Sequence, residues 1–249
     1  MKTEIKSKLL EIEKSNQIKI LFANESGSRA WGFPSPDSDY DVRFIYVKPM
    51  ESYLSIKNEK DFMSFPINDA LDVYGWDLKK VLQLVYKSNT TPFEWLQSPI
   101  VYMEQQGFKE NLFVLCQNYF NAKGNVHHYI GIAKNAFSGL NNDNKIKIKK
   151  LFYVLRSLLS AKWCVEKNKI APMTIQELMT VLPLEFHNLV NGLIEIKSTA
   201  NEADLVKLDK ALKDFIVNEL EKCSLAADAM SKPIFDVKLL NQFFKETIT

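Results

Sequence analysis

Cysteine is scarce. Three residues in a chain of 249, Cys116, Cys164 and Cys223, are too few and too far apart for a disulfide framework or a zinc site. Each sits in an apolar pattern of helical period, so all three are expected as buried free thiols. Histidine is equally rare. His127 and His128 are adjacent and lack a matching ligand pattern, which makes them ordinary helix residues rather than a metal pair. No apolar run approaches the roughly 18 residues of a membrane span. The first six residues alternate charge with other side chains and have no apolar signal core. A cytoplasmic location without a membrane partner is the expectation. Charge of one sign is missing as well: the formal net charge is +2, so no global field draws in nucleic acid, although a local basic surface remains compatible with it. Low-complexity tracts and repeats of about 20–50 residues are absent, which excludes collagen-like and solenoid architectures.

With 46% hydrophobic and 25% charged residues, the chain has the composition of a globular protein. Apolar periodicity predicts a helix over residues 2–16 and a buried strand over 18–23. A loop with two prolines covers 33–39, and a strand follows over 40–47. Strands over 60–65 and 70–76 flank the turn-like Pro66-Ile67-Asn68-Asp69. Asp77 stands where an N-cap belongs, before a helix from residue 78. Asn89 suits the C-terminal cap of that helix, and a short helix covers 92–97. Beyond about residue 105 strand signals nearly vanish. Helices are expected over 107–121, 123–139, 144–168, 174–181, 184–197, 202–227 and 235–246. The fold class is therefore α+β: a mixed-sheet domain over 1–104, followed by an all-helical bundle over 105–249.

Chemistry concentrates in one stretch. Gly27-Ser28 follows the first apolar strand. Ten residues later, Asp39-Tyr40-Asp41 opens the second. Glycine lets backbone approach phosphate oxygens closely, and a nearby hydroxyl adds a donor. Carboxylates at i and i+2 of a strand share a face, roughly 6.5–7 Å apart, and suit one or two Mg²⁺ ions whose remaining ligands are nucleotide phosphates. Arg43 lies on the same face as Asp39 and Asp41, to contact phosphate or to pair with the carboxylates. Arg29, beside the turn, is a nucleotide candidate. Trp31 either stacks on a base or packs the turn against the sheet. Lys150 and Arg156 lie on a basic helix, and such a run is usually a solvated face.

Strand, Gly-Ser, about ten residues, Asp-x-Asp, strand resembles the DNA polymerase β-like nucleotidyltransferase superfamily. Glu25-Ser26-Gly27-Ser28-Arg29-Ala30-Trp31-Gly32, Ser38-Asp39-Tyr40-Asp41-Val42-Arg43, Gly75-Trp76-Asp77-Leu78 and Glu94-Trp95-Leu96-Gln97-Ser98-Pro99 look like its YcgL/RlaP branch. The resemblance implies a nucleotidyltransferase-fold sheet domain and transfer of a nucleoside monophosphate from an NTP to an acceptor hydroxyl, with RNA as the acceptor from the branch association. It also implies that Gly27 and Ser28 hold triphosphate and that Asp39 and Asp41 bind Mg²⁺. In such enzymes a helical domain often closes over the nucleotide, which makes Lys150 and Arg156 candidate triphosphate or acceptor contacts. A third carboxylate on a later strand would complete the metal and catalytic set. Asp72 is favoured for that place and Asp77 is its rival. The competing reading is a nucleotide- or RNA-binding module without transfer activity.

Overall fold

The computed structural model describes residues 1–57, 59–68 and 71–249, and the side chains of all of these except 66–68. In chain order the elements are α1 (Lys2–Ser15), β1 (Lys19–Ser26), α2 (Gly27–Trp31), β2 (Tyr40–Val47), α3 (Met50–Leu54), β3 (Phe62–Asn68), β4 (Leu71–Asp77), α4 (Leu78–Tyr86), α5 (Thr90–Trp95), β5 (Val101–Glu104) and α6 (Phe108–Gln117). They continue with α7 (Ala122–Phe137), β6 (Lys145–Lys147), α8 (Ile148–Lys167), α9 (Ile175–Leu178), α10 (His187–Thr199), β7 (Leu205–Lys207), α11 (Lys210–Ala229) and α12 (Lys238–Ile248). Two compact units emerge. The first comprises Met1–Ala30, Asp39–Tyr119 and Ile234–Thr249; the second comprises Trp31–Ser38 and Phe120–Pro233.

The first unit is built on a five-stranded mixed sheet of order β3-β4-β2-β1-β5. β2 and β4 run parallel, while the other pairs are antiparallel. Alternation along the strands sends Val42, Phe44, Tyr46 and Val73 to one face, where Ile5, Leu9 and Ile12 of α1 bury them. Position 75 falls on that face too, and it is glycine because the ring of Phe44 fills the space a side chain would need. Trp76 points to the other face and is covered there by Trp95 of α5, with ring centroids 4.3 Å apart. Asp77 caps α4, accepting the Lys79 N–H at 2.8 Å. Asn89 caps the start of α5, accepting the Thr91 N–H at 2.9 Å, rather than ending α4. Ser88, with φ +55°, makes the break between the two helices. α12 belongs to this unit too: Phe244 meets Tyr53 edge-on at 5.1 Å.

The second unit is helical. Leu151, Phe152, Leu155, Leu158 and Leu159 of α8 form its core with side chains of α7 and α11. Two three-residue strands, β6 and β7, pair at its edge. They were unexpected because a buried residue between two exposed ones, as in Lys145-Ile146-Lys147, is too short a pattern to distinguish from a helix start. Segment 31–38 is part of this unit: Phe33 is buried and stacks on Phe152 at 4.6 Å. Cys116, Cys164 and Cys223 are free and buried, and burial pushes the latter two thiols up to about 12. Asp69, in the expected turn at 66–69, and Ala70, the expected first residue of β4, lie outside the described residues. Among the described residues no helix is long and apolar enough to cross a membrane.

Candidate active site

β1 runs without interruption into Gly27, whose φ of +61° is left-handed. A non-glycine residue is strained in that region. Space makes a second demand, since a β-carbon on Gly27 would lie 2.9 Å from Asp41 Cγ and overlap Oδ2. The Asp41 carboxylate thus rests directly against the turn, and the β1–β2 register pairs Ser26 with Asp41. Ser28 and Arg29 follow in α2. Arg29 stacks its guanidinium on the Tyr40 ring at 3.9 Å, and its Nε donates to the Asp39 carbonyl at 3.1 Å. This bond fixes the backbone at the start of β2. The Asp39 side chain is exposed and just precedes the strand.

The parallel register of β2 and β4 places Asp72 beside Asp41 and Tyr74 beside Arg43. Arg43 Nη2 donates to Asp41 Oδ1 at 2.7 Å and to Asp72 Oδ2 at 2.8 Å. Its Nη1 donates to the Val42 and Asp72 carbonyls at 3.1 and 3.2 Å. The three side chains retain 17%, 30% and 29% exposure for Arg43, Asp41 and Asp72, so the cluster opens to solvent. Asp77 sits at the other end of β4 and on the opposite face. Its carboxylate is engaged by Lys79 N–H and by the Tyr53 hydroxyl at 3.0 Å, and burial raises its pKa.

Glu25 is a residue whose role the sequence reading did not assign. It is fully buried. Its Oε1 accepts the Asp41 backbone N–H at 2.7 Å, and its Oε2 accepts the Tyr102 hydroxyl. Desolvation raises its pKa, against the two hydrogen bonds, which lower it. Glu25 therefore clamps the backbone of Asp41 from behind. An acid two residues beyond the apolar run 18–23 and two before Gly27 was the available signal.

Residues 1–246 match the family model RlaP, described as the RNA repair pathway DNA polymerase beta family. The chain belongs to this family. It is 41% identical over 251 aligned positions to the uncharacterized protein YcgL of Bacillus subtilis (strain 168), covering 100% of this chain and 96% of that one. A nucleotidyltransferase-like protein from Exiguobacterium sibiricum 255-15, known from a crystal structure, aligns over 90% of this chain and 75% of that one, with 12% identity and a TM-score of 0.33. Membership in a DNA polymerase β-type family makes the chain a nucleotidyltransferase-type protein, and such families typically work with a divalent metal.

Of the site residues expected from sequence, the structure brings Gly27, Asp41, Arg43 and Asp72 together. Ser28, Arg29 and Asp39 adjoin them in the chain. Lys150 and Arg156 belong to the second unit. Lys150 is exposed and reaches over Gly139. Arg156 is 5% exposed; its Nε donates to the Met173 carbonyl at 3.1 Å and its guanidinium lies 4.3 Å from the Trp31 ring. Trp31 in turn meets Tyr153 edge-on at 5.4 Å, so it packs in the helical unit rather than against the sheet.

Among the described residues no three His, Cys, Asp or Glu side chains form a metal-ligating group. The donor chemistry nevertheless fits a hard divalent ion. Two carboxylates on adjacent strands converge on a single cationic group, the Arg43 guanidinium, at 2.7 and 2.8 Å. Oxygen-only donors suit such an ion.

Proposed function

We propose that this chain is a Mg²⁺-dependent nucleotidyltransferase that moves a nucleoside monophosphate from an NTP to an acceptor hydroxyl, with RNA as the acceptor, in the cytoplasm. The observation that carries this reading is the convergence of Asp41 and Asp72 on one cation, beside a glycine turn that admits no side chain. Asp41 and Asp72, with Asp39 at the rim, are the proposed metal ligands. The bound ion would neutralise triphosphate charge and lower the pKa of the attacking hydroxyl.

The chain's own residues supply the rest. Gly27 and Ser28 offer the triphosphate a close backbone approach and a hydroxyl, and Arg29 adds a cation at the edge. In this reading Asp72 takes the acceptor proton as the new O–P bond forms at the α-phosphorus. The bond from the α-phosphorus to the bridging oxygen breaks, and pyrophosphate leaves. Glu25 holds Asp41 in place through its backbone N–H. Residues 1–104 carry the chemistry. Lys150, exposed on α8, is the proposed phosphate contact of the helical part, and Arg156 acts there by supporting Trp31.

One observation favours a second reading. Arg43 already pairs with both carboxylates, as it would in a binding module without transfer activity. The two readings separate on incubation with α-phosphate-labelled NTPs, Mg²⁺ and a pool of cellular RNA. Label in RNA that disappears with the double substitution of Asp41→Asn and Asp72→Asn supports transfer. NTP binding with no labelled product supports the binding module.

A further inference from the structure

The sheet face that carries Asp41, Arg43 and Asp72 does not end with them. β4 alternates, so Tyr74 and Trp76 follow Asp72 on the same side, and Trp76 lies about 13 Å further along the strand. Across the antiparallel pair, Ser64 stands opposite Tyr74 and Phe62 opposite Trp76. Trp76 is roofed by Trp95, but Tyr74 is half-buried, Ser64 is exposed, and Phe62 is 37% exposed on edge strand β3. The rings of Phe62 and Tyr74 stack at 5.8 Å and 26°, forming one continuous aromatic surface.

Lys80 continues this surface, with its Nζ 5.0 Å from the centroid of Phe62 and 5.8 Å from that of Trp76. It also lines a pocket of about 290 Å³ at the far end of β2 and β4, together with Lys48, Lys57, Lys60 and Lys79. Five lysines meet three carboxylates in that pocket, an excess equal to the +2 of the whole chain. Lys48 pairs with Glu59 at 2.9 Å, Lys80 pairs with Asp61 at 2.8 Å, and Asp77 is engaged as a helix cap. Lys57, Lys60 and Lys79 are exposed, and none has an ion-pair partner among the described residues.

We propose that this face is a platform for single-stranded RNA: bases stack on Tyr74 and Phe62, backbone phosphates meet the lysine pocket, and the reacting end lies at Asp41 and Asp72. The combination selects the ligand. Stacking surfaces beside a cationic groove are how single strands are held without sequence readout, and unstacked bases are what aromatic side chains on a sheet capture. A small anion has no use for the aromatic row. A duplex cannot offer its base faces to it. The orientation of the strand rests on the nucleotidyltransferase reading above, whereas the binding itself does not.

The test is fluorescence anisotropy with a short labelled RNA of mixed sequence, free of NTP and divalent metal, alongside a duplex of the same sequence. The single strand is expected to bind more tightly than the duplex. Tyr74→Ala and Phe62→Ala should each weaken binding roughly 5- to 100-fold, the loss expected for one stacked base, and Tyr74→Phe should retain it. The combined K57E, K60E and K79E substitutions, all at exposed positions, should weaken binding and flatten its salt dependence by up to about two in log–log slope. Labelled-NTP binding, measured in parallel, should survive Phe62→Ala and the lysine substitutions. A wild-type protein that binds NTP but no single strand, or one whose RNA affinity ignores all these changes or favours the duplex, overturns the platform and leaves the transfer reading standing. RNA binding with this pattern but without nucleotidyl transfer supports the platform and removes the enzyme.

Discussion

Replacing Gly27 with alanine tests the turn and the carboxylate together. Alanine at φ +61° incurs the left-handed penalty of about 1–2 kcal/mol. Its β-carbon would also overlap Asp41 Oδ2, so the carboxylate must rotate away. The bond to Arg43 at 2.7 Å then weakens, at a further cost of about 1 kcal/mol for a partly buried charged hydrogen bond. The sum, about 2–3 kcal/mol, corresponds to a fall in Tm of roughly 4–12 °C for a chain of this size. Gly131→Ala is the control. Gly131 lies inside α7 with open space around the position a β-carbon would take, and alanine there should stabilise by about 0.5–1 kcal/mol. Differential scanning calorimetry gives both values, and Mn²⁺ titration reports whether Asp41 still contributes to a metal site. A Gly27→Ala protein within about 0.5 kcal/mol of wild type, with unchanged Mn²⁺ affinity, would refute the packing of Asp41 against the turn.

Other substitutions separate the neighbouring roles. Asp72→Asn should slow transfer at least about 100-fold, the scale of general acid–base catalysis, and more than it weakens NTP binding; an unchanged rate removes Asp72 from the reaction. Arg43→Gln leaves Asp41 and Asp72 facing each other without a counter-charge. The metal-free protein should lose about 1–3 kcal/mol, and the thermal stabilisation by Mg²⁺ should exceed that of wild type. Equal stabilisation of the two proteins would show that Arg43 and the ion do not compete. Asp77→Ala should cost about 0.5–2 kcal/mol as a lost helix cap without altering NTP binding. The Asp77 carboxyl is raised in the fold, so its contribution is complete below the ordinary aspartate value of about 4 and is surrendered as pH climbs through the raised value. Asp77→Asn, which keeps a capping oxygen, should lose less stability than wild type as pH rises across that interval; parallel curves would contradict the burial argument.

The parts legible in sequence were those governed by local rules. Period-two alternation in residues 40–47 and 71–77 assigns each side chain to a face, which places Asp41, Arg43, Asp72 and Tyr74 on the same kind of surface before any coordinates. It cannot assign register. Parallel strands joined by a crossover are aligned by tertiary packing, so the pairing of Asp41 with Asp72 appears only in the fold. Glu25 escaped for a related reason: its partners are a backbone N–H on the next strand and Tyr102, 77 residues away. Segment 33–39 reads as a loop because it holds two prolines and several short polar residues, and that composition says nothing of what the loop packs on. Phe33, seated on Phe152, binds it into the helical core, and Asp37 accepts the Glu202 backbone N–H at 3.1 Å. β5 was invisible because four residues carry too little pattern, yet it completes the sheet edge beside β1.

The most direct measurement of the central claim is a crystal structure with Mn²⁺ and a non-hydrolysable NTP, using the anomalous signal to locate the metal. The account predicts metal density between the Asp41 and Asp72 carboxylates, Arg43 turned away from at least one of them, and the triphosphate against Gly27 and Ser28. Nucleotide bound elsewhere, with Arg43 still bridging both carboxylates and no metal between them, would contradict it.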